Sequence, residues 1–306
     1  MNSQQFSVQY PGKNQKESDC IMDKALPVAG APLRTGTFSL TGLREGESFL
    51  LTGGSGMTGT ALRRALRKRY PGCRITLFSG GSLPLELQPD EAVIRPDDAC
   101  TFSGTVEADA VFALAGEPVS GKRITRENLR RNAEGRVELM RRAAELLKSP
   151  APFFAASAVV SEGSALLGEF RDGLEESAGN MLLGKGISPV FVRFPLILGS
   201  RGMMPVLRKF AGLRLMPFFI PEGKLPVTTA EEAAEFLASL PGMDSPEMAG
   251  MPHQMKTIRD IVRESEGNRL LLPLPAPLAL LRLLNPGTAE LFGKYSEKPG
   301  TIRAPG

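Results

Sequence analysis

The feature that most constrains this chain is a glycine-rich turn between an apolar run and a helical pattern: Phe49-Leu50-Leu51-Thr52-Gly53-Gly54-Ser55-Gly56-Met57-Thr58-Gly59. Gly53, Gly56 and Gly59 stand three residues apart. That spacing suits a strand turning directly into a helix. The first glycine permits a sharp reversal at positive φ, the second brings bare backbone close to a pyrophosphate, and the third lets the helix pack on the strand. The N–H groups around Met57 and Thr58, with the positive end of the helix behind them, then face the phosphates.

The flanking sequence agrees. From Thr60 to Arg69, Ala61, Leu62, Ala65 and Leu66 share one helical face, and Arg63, Arg64, Arg67 and Lys68 share the other. Tyr70-Pro71-Gly72 ends the helix, and Ile75 to Phe78 reads as a second strand. The strand–turn–helix–strand unit has the length of a nucleotide-binding βαβ half, about 30 residues. A glycine turn in some other α/β protein is the bland alternative, and the context favours a dinucleotide site.

Beyond this unit, strands and helices alternate. Ala92-Val93-Ile94, Ala110 to Ala115, Phe153 to Ser157 and Val190 to Leu196 read as strands, and Asn128 to Leu147 as a long amphipathic helix. Alternation predicts an α/β fold, a Rossmann-type doubly wound parallel sheet with helices on both faces. Ligands of such sheets lie beyond the carboxyl ends of the strands, where Gly53–Gly59, Gly116 and Ser157 all fall. We expect an N-terminal extension over 1–46, a dinucleotide-binding domain over 47–200, and a smaller C-terminal lobe over 201–306, where glycine, proline and methionine become dense. The extension is polar, and if ordered it needs its own domain or a protein partner to hold it.

Composition narrows the chemistry. The 306 residues carry a net charge of +4 without a clustered basic arm, so nucleic-acid binding is not expected. Cys20, Cys73 and Cys100 lack metal-ligand spacing and suggest free thiols in a reducing compartment. With His253 as the single histidine, a histidine-based metal site is not expected. No run is long enough to span a membrane; Leu270 to Leu284 is broken by Pro273, Pro275 and Pro277, and reads as a segment docked on the protein's own core.

Four stretches together resemble the extended short-chain dehydrogenase/reductase superfamily, and within it the atypical epimerase-like branch with its own C-terminal domain. Leu51 to Gly59 is similar to the family's T-G-G-x-G-x-x-G. Asp109-Ala110-Val111-Phe112-Ala113-Leu114-Ala115-Gly116-Glu117-Pro118-Val119 resembles D-A-V-x-x-L-A-G-E-P-[IV]. Ala156-Ser157-Ala158-Val159 resembles the end of the fifth strand, and Asn268 to Leu283 the proline-flanked entry to the C-terminal domain. The resemblance implies a nicotinamide nucleotide, NADP(H) or NAD(H). Gly53, Gly56, Met57, Thr58 and Gly59 would face the pyrophosphate, Ala115 and Gly116 the adenosine ribose, and Asp97 the adenine amine. Ser79 stands where an acid would bind the ribose 2′-OH. With Arg63 and Arg64 read near the same end, this favours NADP(H), although a solvated helix face explains those arginines equally well.

The family's Tyr-x-x-x-Lys is missing. Of the three tyrosines, Tyr10, Tyr70 and Tyr295, none lies between Ser157 and the sixth strand. Ser161-Glu162-Gly163 replaces the branch's Tyr-Tyr-Gly, and Pro226 to Glu231 replaces its W-I-H-x-x-D. Ser157 and Lys185 are the catalytic candidates left, with Glu162 as a substitute acid or base and Glu117 read as structural. Ser164 to Ser188 reads as a short, glycine-rich segment, with Met181 four residues before Lys185. Two expectations follow. One is a catalytically degenerate, NAD(P)-binding accessory subunit of a larger assembly, as respiratory complex I employs a member of this superfamily. The other is an active oxidoreductase or epimerase on a small carbonyl or sugar-nucleotide substrate. The basic pI near 9.0 and the extension point to mitochondria, with plastid and cytoplasm as alternatives.

Overall fold

The computed structural model describes residues 46–79, 87–96, 101–116, 124–161, 163–220, 222–242, 248–249, 251–267, 270–277, 289–292 and 301–302. The expected N-terminal extension, apart from its last residue Gly46, lies outside them, as do Asp97, Glu117, Glu162, Cys20 and Cys100.

Six strands make one parallel sheet: β1 (Ser48–Thr52), β2 (Arg74–Phe78), β3 (Glu91–Ile94), β4 (Ala110–Ala113), β5 (Phe153–Ala158) and β6 (Pro189–Phe194). Their order is β3-β2-β1-β4-β5-β6. This is the order of a Rossmann-type sheet, and its direction of winding reverses between β1 and β4. Leu50 to Thr52 are buried to within 2 % and β4 is buried throughout, as strands covered on both faces must be. Alternation splits β1 between two cores. Phe49 and Leu51 join α1 (Met57–Arg69) on one face, and Leu50 joins α2 (Arg126–Leu146) on the other.

The helix α3 (Ala165–Leu183) also covers the second face, through Ala178 and Leu182. It corrects the expectation of a short glycine-rich segment there. Gly168 and Gly173 have nothing within 4 Å of where a Cβ would be, so they lower helix propensity without breaking the helix. Burial of Leu167, Leu174, Ala178 and Leu182 at helical spacing outweighs that cost. Pro195, which has no N–H to donate, follows the end of β6 at Phe194, two residues before the expected strand end. The chain then leaves the large sheet as β7 (Leu196–Leu198).

The remaining chain builds α4 (Met203–Gly212), β8 (Leu215–Ile220), β9 (Leu225–Thr229), α5 (Ala230–Ser239), β10 (Met248–Ala249), β11 (Gln254–Lys256), α6 (Ile258–Glu266), β12 (Leu272–Pro277) and β13 (Thr301–Ile302). Strands β11, β9 and β7 form a small sheet, β8 pairs with β12, and β10 pairs with β13. Met204, Leu207, Val227, Ile258, Ile261 and Val262 form its core. Helix α5 instead returns to the large sheet. Its Ala230, Ala233, Ala234 and Ala238 keep the surface low and bring it onto α1. Thr229 and Glu232 start α5 with a reciprocal capping box. In the proline-broken run, Leu271 packs on the small core, but Leu270, Leu272 and Leu274 are exposed.

Candidate functional site

The glycine turn closes at the β1/β4 switch. Gly53 has φ +74, a conformation that favours glycine. Its carbonyl accepts a hydrogen bond from the Gly56 N–H at 2.9 Å. A Cβ on Gly53 would lie 2.7 Å from the Ala115 nitrogen, and one on Gly59 would lie 2.2 Å from the Gly53 oxygen. Both positions therefore require glycine, because the opposing atoms are backbone. Gly56 is the N-cap of α1 and offers no side chain to the amides that follow. The N–H groups of Met57, Thr58 and Gly59 open the helix, and no acid stands in its first turn. The Met57 side chain folds over Gly199, where a Cβ would meet its sulfur at 2.2 Å.

Hydrogen bonds tie β4's end to the turn. Thr52 Oγ1 accepts the Ala115 N–H at 3.1 Å, and the Thr52 carbonyl accepts the Leu114 N–H at 3.2 Å. Ala115 and Gly116 thus stand beside Gly53, as their place after β4 requires. The Arg136 guanidinium of α2 lies over Gly116, where a Cβ would be 2.3 Å from its Nε. Ser79 is buried at the end of β2, and its N–H donates to the Ile94 carbonyl at 3.2 Å.

The structure separates Arg63 from Arg64, which keeps the solvated helix face that is the alternative for both. Arg63 is buried, and its Nε donates to Glu91 Oε1 of β3 at 2.6 Å, with a second ion-pair contact through Nη2. Arg67 joins it through Asp90 at 2.8 Å and Glu91 at 2.5 Å. Burial alone would push the Glu91 carboxyl up, but hydrogen bonds from Arg63, the Gln88 N–H and Arg67 hold it below the usual carboxylate range. Arg64 is exposed and faces Glu231 of α5 at 3.6 Å. Neither arginine bears on the choice between NADP(H) and NAD(H).

Ser157 stands near the end of β5, in register with Arg193 on β6. Its Oγ donates to Glu175 Oε1 of α3 at 2.6 Å. Arg193 grips the same carboxylate through Nε at 3.0 Å and Nη2 at 2.7 Å. The hydrogen bond from Arg193 to Glu175 outweighs burial and raises the arginine's pKa. Glu175, Arg193 and Arg136 escaped sequence reasoning. The strand register was readable only after α3 and β6 had been placed. Lys185 is a correction. It follows the end of α3, which runs back along the sheet for about 28 Å from the β5 end, and its Nζ pairs with Glu145 at 3.2 Å beside the start of β6. It therefore sits towards the opposite end of the strands from Ser157. His253 is half-buried, with Nδ1 3.0 Å from the Met251 carbonyl. Among the described residues no group of three or more potential ligands is placed for a metal, and no helix is long and apolar enough to cross a membrane.

No protein-family model matches the sequence, and no curated protein matches it. Solved structures do match. The human epimerase family protein SDR39U1 (isoform 2), solved with NADPH, is 22 % identical with a TM-score of 0.60, over 81 % of this chain and 90 % of that one. The UDP-glucuronic acid 4-epimerase of Bacillus cereus, solved with NAD, is 17 % identical with a TM-score of 0.58, over 75 % and 86 %. TunA, an NAD-dependent NDP-hexosamine 5,6-dehydratase, is 18 % identical with a TM-score of 0.54, over 85 % and 88 %. The likeness is one of fold, a Rossmann-type parallel sheet shared with structures solved with NADPH or NAD.

Proposed function

We propose that this protein binds a nicotinamide dinucleotide at the β1/β4 switch and does not turn it over by the usual tyrosine–lysine relay. The observation that carries the reading is the glycine cradle. Gly53 and Gly59 are packed so closely that no Cβ fits, while only one atom, the Gly53 oxygen at 3.1 Å, lies within 4 Å of where a Gly56 Cβ would be. That leaves bare backbone and open amides at a helix start, which fit a pyrophosphate. The dinucleotides in the similar structures of SDR39U1 and the Bacillus epimerase support a nicotinamide group. Bound here, it would supply or accept hydride.

The loss of the relay supports a non-catalytic role. Tyr70 packs on Phe49 at 5.2 Å between ring centres, at the end of α1, so it belongs to the core. Glu175 takes the place beside Ser157, already satisfied by Arg193. On this reading the protein is an accessory subunit of a larger assembly, stabilised by its nucleotide, with a mitochondrial location following from its basic composition.

A second reading, an active oxidoreductase or epimerase on a small carbonyl or sugar-nucleotide substrate, is favoured by one contact. Ser157 donates its proton to a carboxylate, so its oxygen is free to accept one from a substrate hydroxyl. Titration with NADPH and NADH, followed by a turnover assay on aldehydes, ketones and UDP-sugars, tests both readings. We expect binding that Gly56→Asp abolishes, since the new carboxylate would repel the phosphates, and no turnover. Absence of binding overturns the nucleotide reading. Turnover that Gly56→Asp removes overturns the non-catalytic one.

A further inference from the structure

Arginines on α2 are treated unequally. Arg130, Arg131, Arg141 and Arg142 each pair with a glutamate one turn away. Arg136 has Asn132, Ala133, Leu139 and Met140 at those spacings, so its own helix offers it no acid. Its Nε is buried and has no hydrogen-bond partner among the described residues. Burial pushes its pKa down, and among the described residues no anion counters that. A guanidinium nevertheless stays charged, and a buried cation without a counter-charge is costly to keep. Its position gives the cost a purpose. The guanidinium covers Gly116, and the neighbouring Ala115 is where the Gly53 turn meets β4. The start of α1, uncapped and without an acid in its first turn, follows the Gly53 turn that packs on Ala115. Two electropositive features, one from each face of the sheet, therefore border the turn and the end of β4.

We propose that Arg136 is an anion-binding residue of this cleft, kept unpaired so that its guanidinium takes a diphosphate oxygen of a bound nucleotide. The inference deepens the dinucleotide reading and rests on it. Two ligands carry that group: the dinucleotide itself, and a nucleotide-linked sugar as substrate. Arginine suits either, because its planar fork donates two parallel hydrogen bonds to phosphate oxygens.

The test compares the full chain with Arg136→Met and Arg136→Lys by calorimetric titration and thermal unfolding. The ligands are NADPH, NADH, UDP-glucose, inorganic pyrophosphate and adenosine. Without ligand, Arg136→Met should unfold about 2–4 °C higher, because an uncompensated buried charge is gone. It should bind the diphosphate ligand about ten- to a hundredfold more weakly, with a shallower salt dependence, and leave adenosine unaffected. Arg136→Lys should recover part of the affinity. Weakening confined to NADPH and NADH assigns the group to the dinucleotide, and weakening confined to UDP-glucose assigns it to the substrate. Unchanged binding of every ligand, while Gly56→Asp still abolishes NADPH and NADH binding, overturns the role of Arg136 and leaves the dinucleotide reading standing. If the wild type binds no dinucleotide, that reading falls. Arg136 then keeps its role only if pyrophosphate or UDP-glucose raises the Tm of the wild type and not of Arg136→Met, and loses it otherwise. If Arg136→Met does not fold, Arg136→Gln replaces it in every arm.

Discussion

At the scale of single residues, Glu91 is the group whose ionisation matters most to stability. Its side chain is fully buried, and it holds Arg63 and Arg67 of α1 against β3. Its folded pKa lies below the ordinary value, with burial opposing and the hydrogen bonds prevailing. The stability it supplies is therefore complete above the unfolded carboxyl pKa of about 4.3 and is lost as pH falls through the lower folded value. Denaturant titrations across pH should show a steep acid limb in the wild type and a flatter one in Glu91→Gln. At pH 7 that variant should lose about 3–5 kcal/mol, because the buried arginine is left without its charge partner. Neither partner was recognisable from local pattern. Arg63 follows the same helical period as the exposed Arg64, and only the arrival of β3, 28 residues later in the chain, brings Glu91 beside it.

At the scale of elements, α2 and α3 carry glycines that do no visible work. Gly135 and Gly173 are exposed, lie inside helices, and have nothing within 4 Å of a built Cβ. Gly135→Ala and Gly173→Ala should each raise the free energy of unfolding by about 0.5–1 kcal/mol, measured by chemical denaturation. Gly53 and Gly59 are the opposite case, since their Cβ positions are filled by backbone. Sequence separates the two kinds where a motif frames the glycine, as at the turn after β1. It did not at 168–184, where four glycines disguised a helix whose buried leucines were at the right spacing. The capping boxes of α5 and α6 are plain in the chain as Thr229-Ala230-Glu231-Glu232 and Thr257-Ile258-Arg259-Asp260, and each marks the start of its helix.

For the whole molecule, the proposed accessory role makes a claim about size. Blue-native electrophoresis of a gently solubilised extract should place the protein well above its own 32.9 kDa, with co-migrating proteins that identify the assembly. Migration at 32.9 kDa or a small multiple would favour the enzyme reading. Saturating nucleotide should also raise its Tm, because a ligand bound only by the folded state contributes about 2.7 kcal/mol at a hundred times its Kd. By itself the sequence determined the parallel α/β sheet and the glycine turn at its switch point, because both are written in local terms: continuous apolar strands, a helical period, and glycines at fixed spacing. Tertiary structure alone decided which charges are buried and which polar groups meet. Ser157, Glu175 and Arg193 come from β5, α3 and β6, and Arg63 and Glu91 from α1 and β3. Arg136 shows in the chain only as an α2 arginine with no acid one turn away, and it is the fold that sets it over Gly116. Charge pairing acts through space over a few ångströms, and distance along the chain carries no record of it.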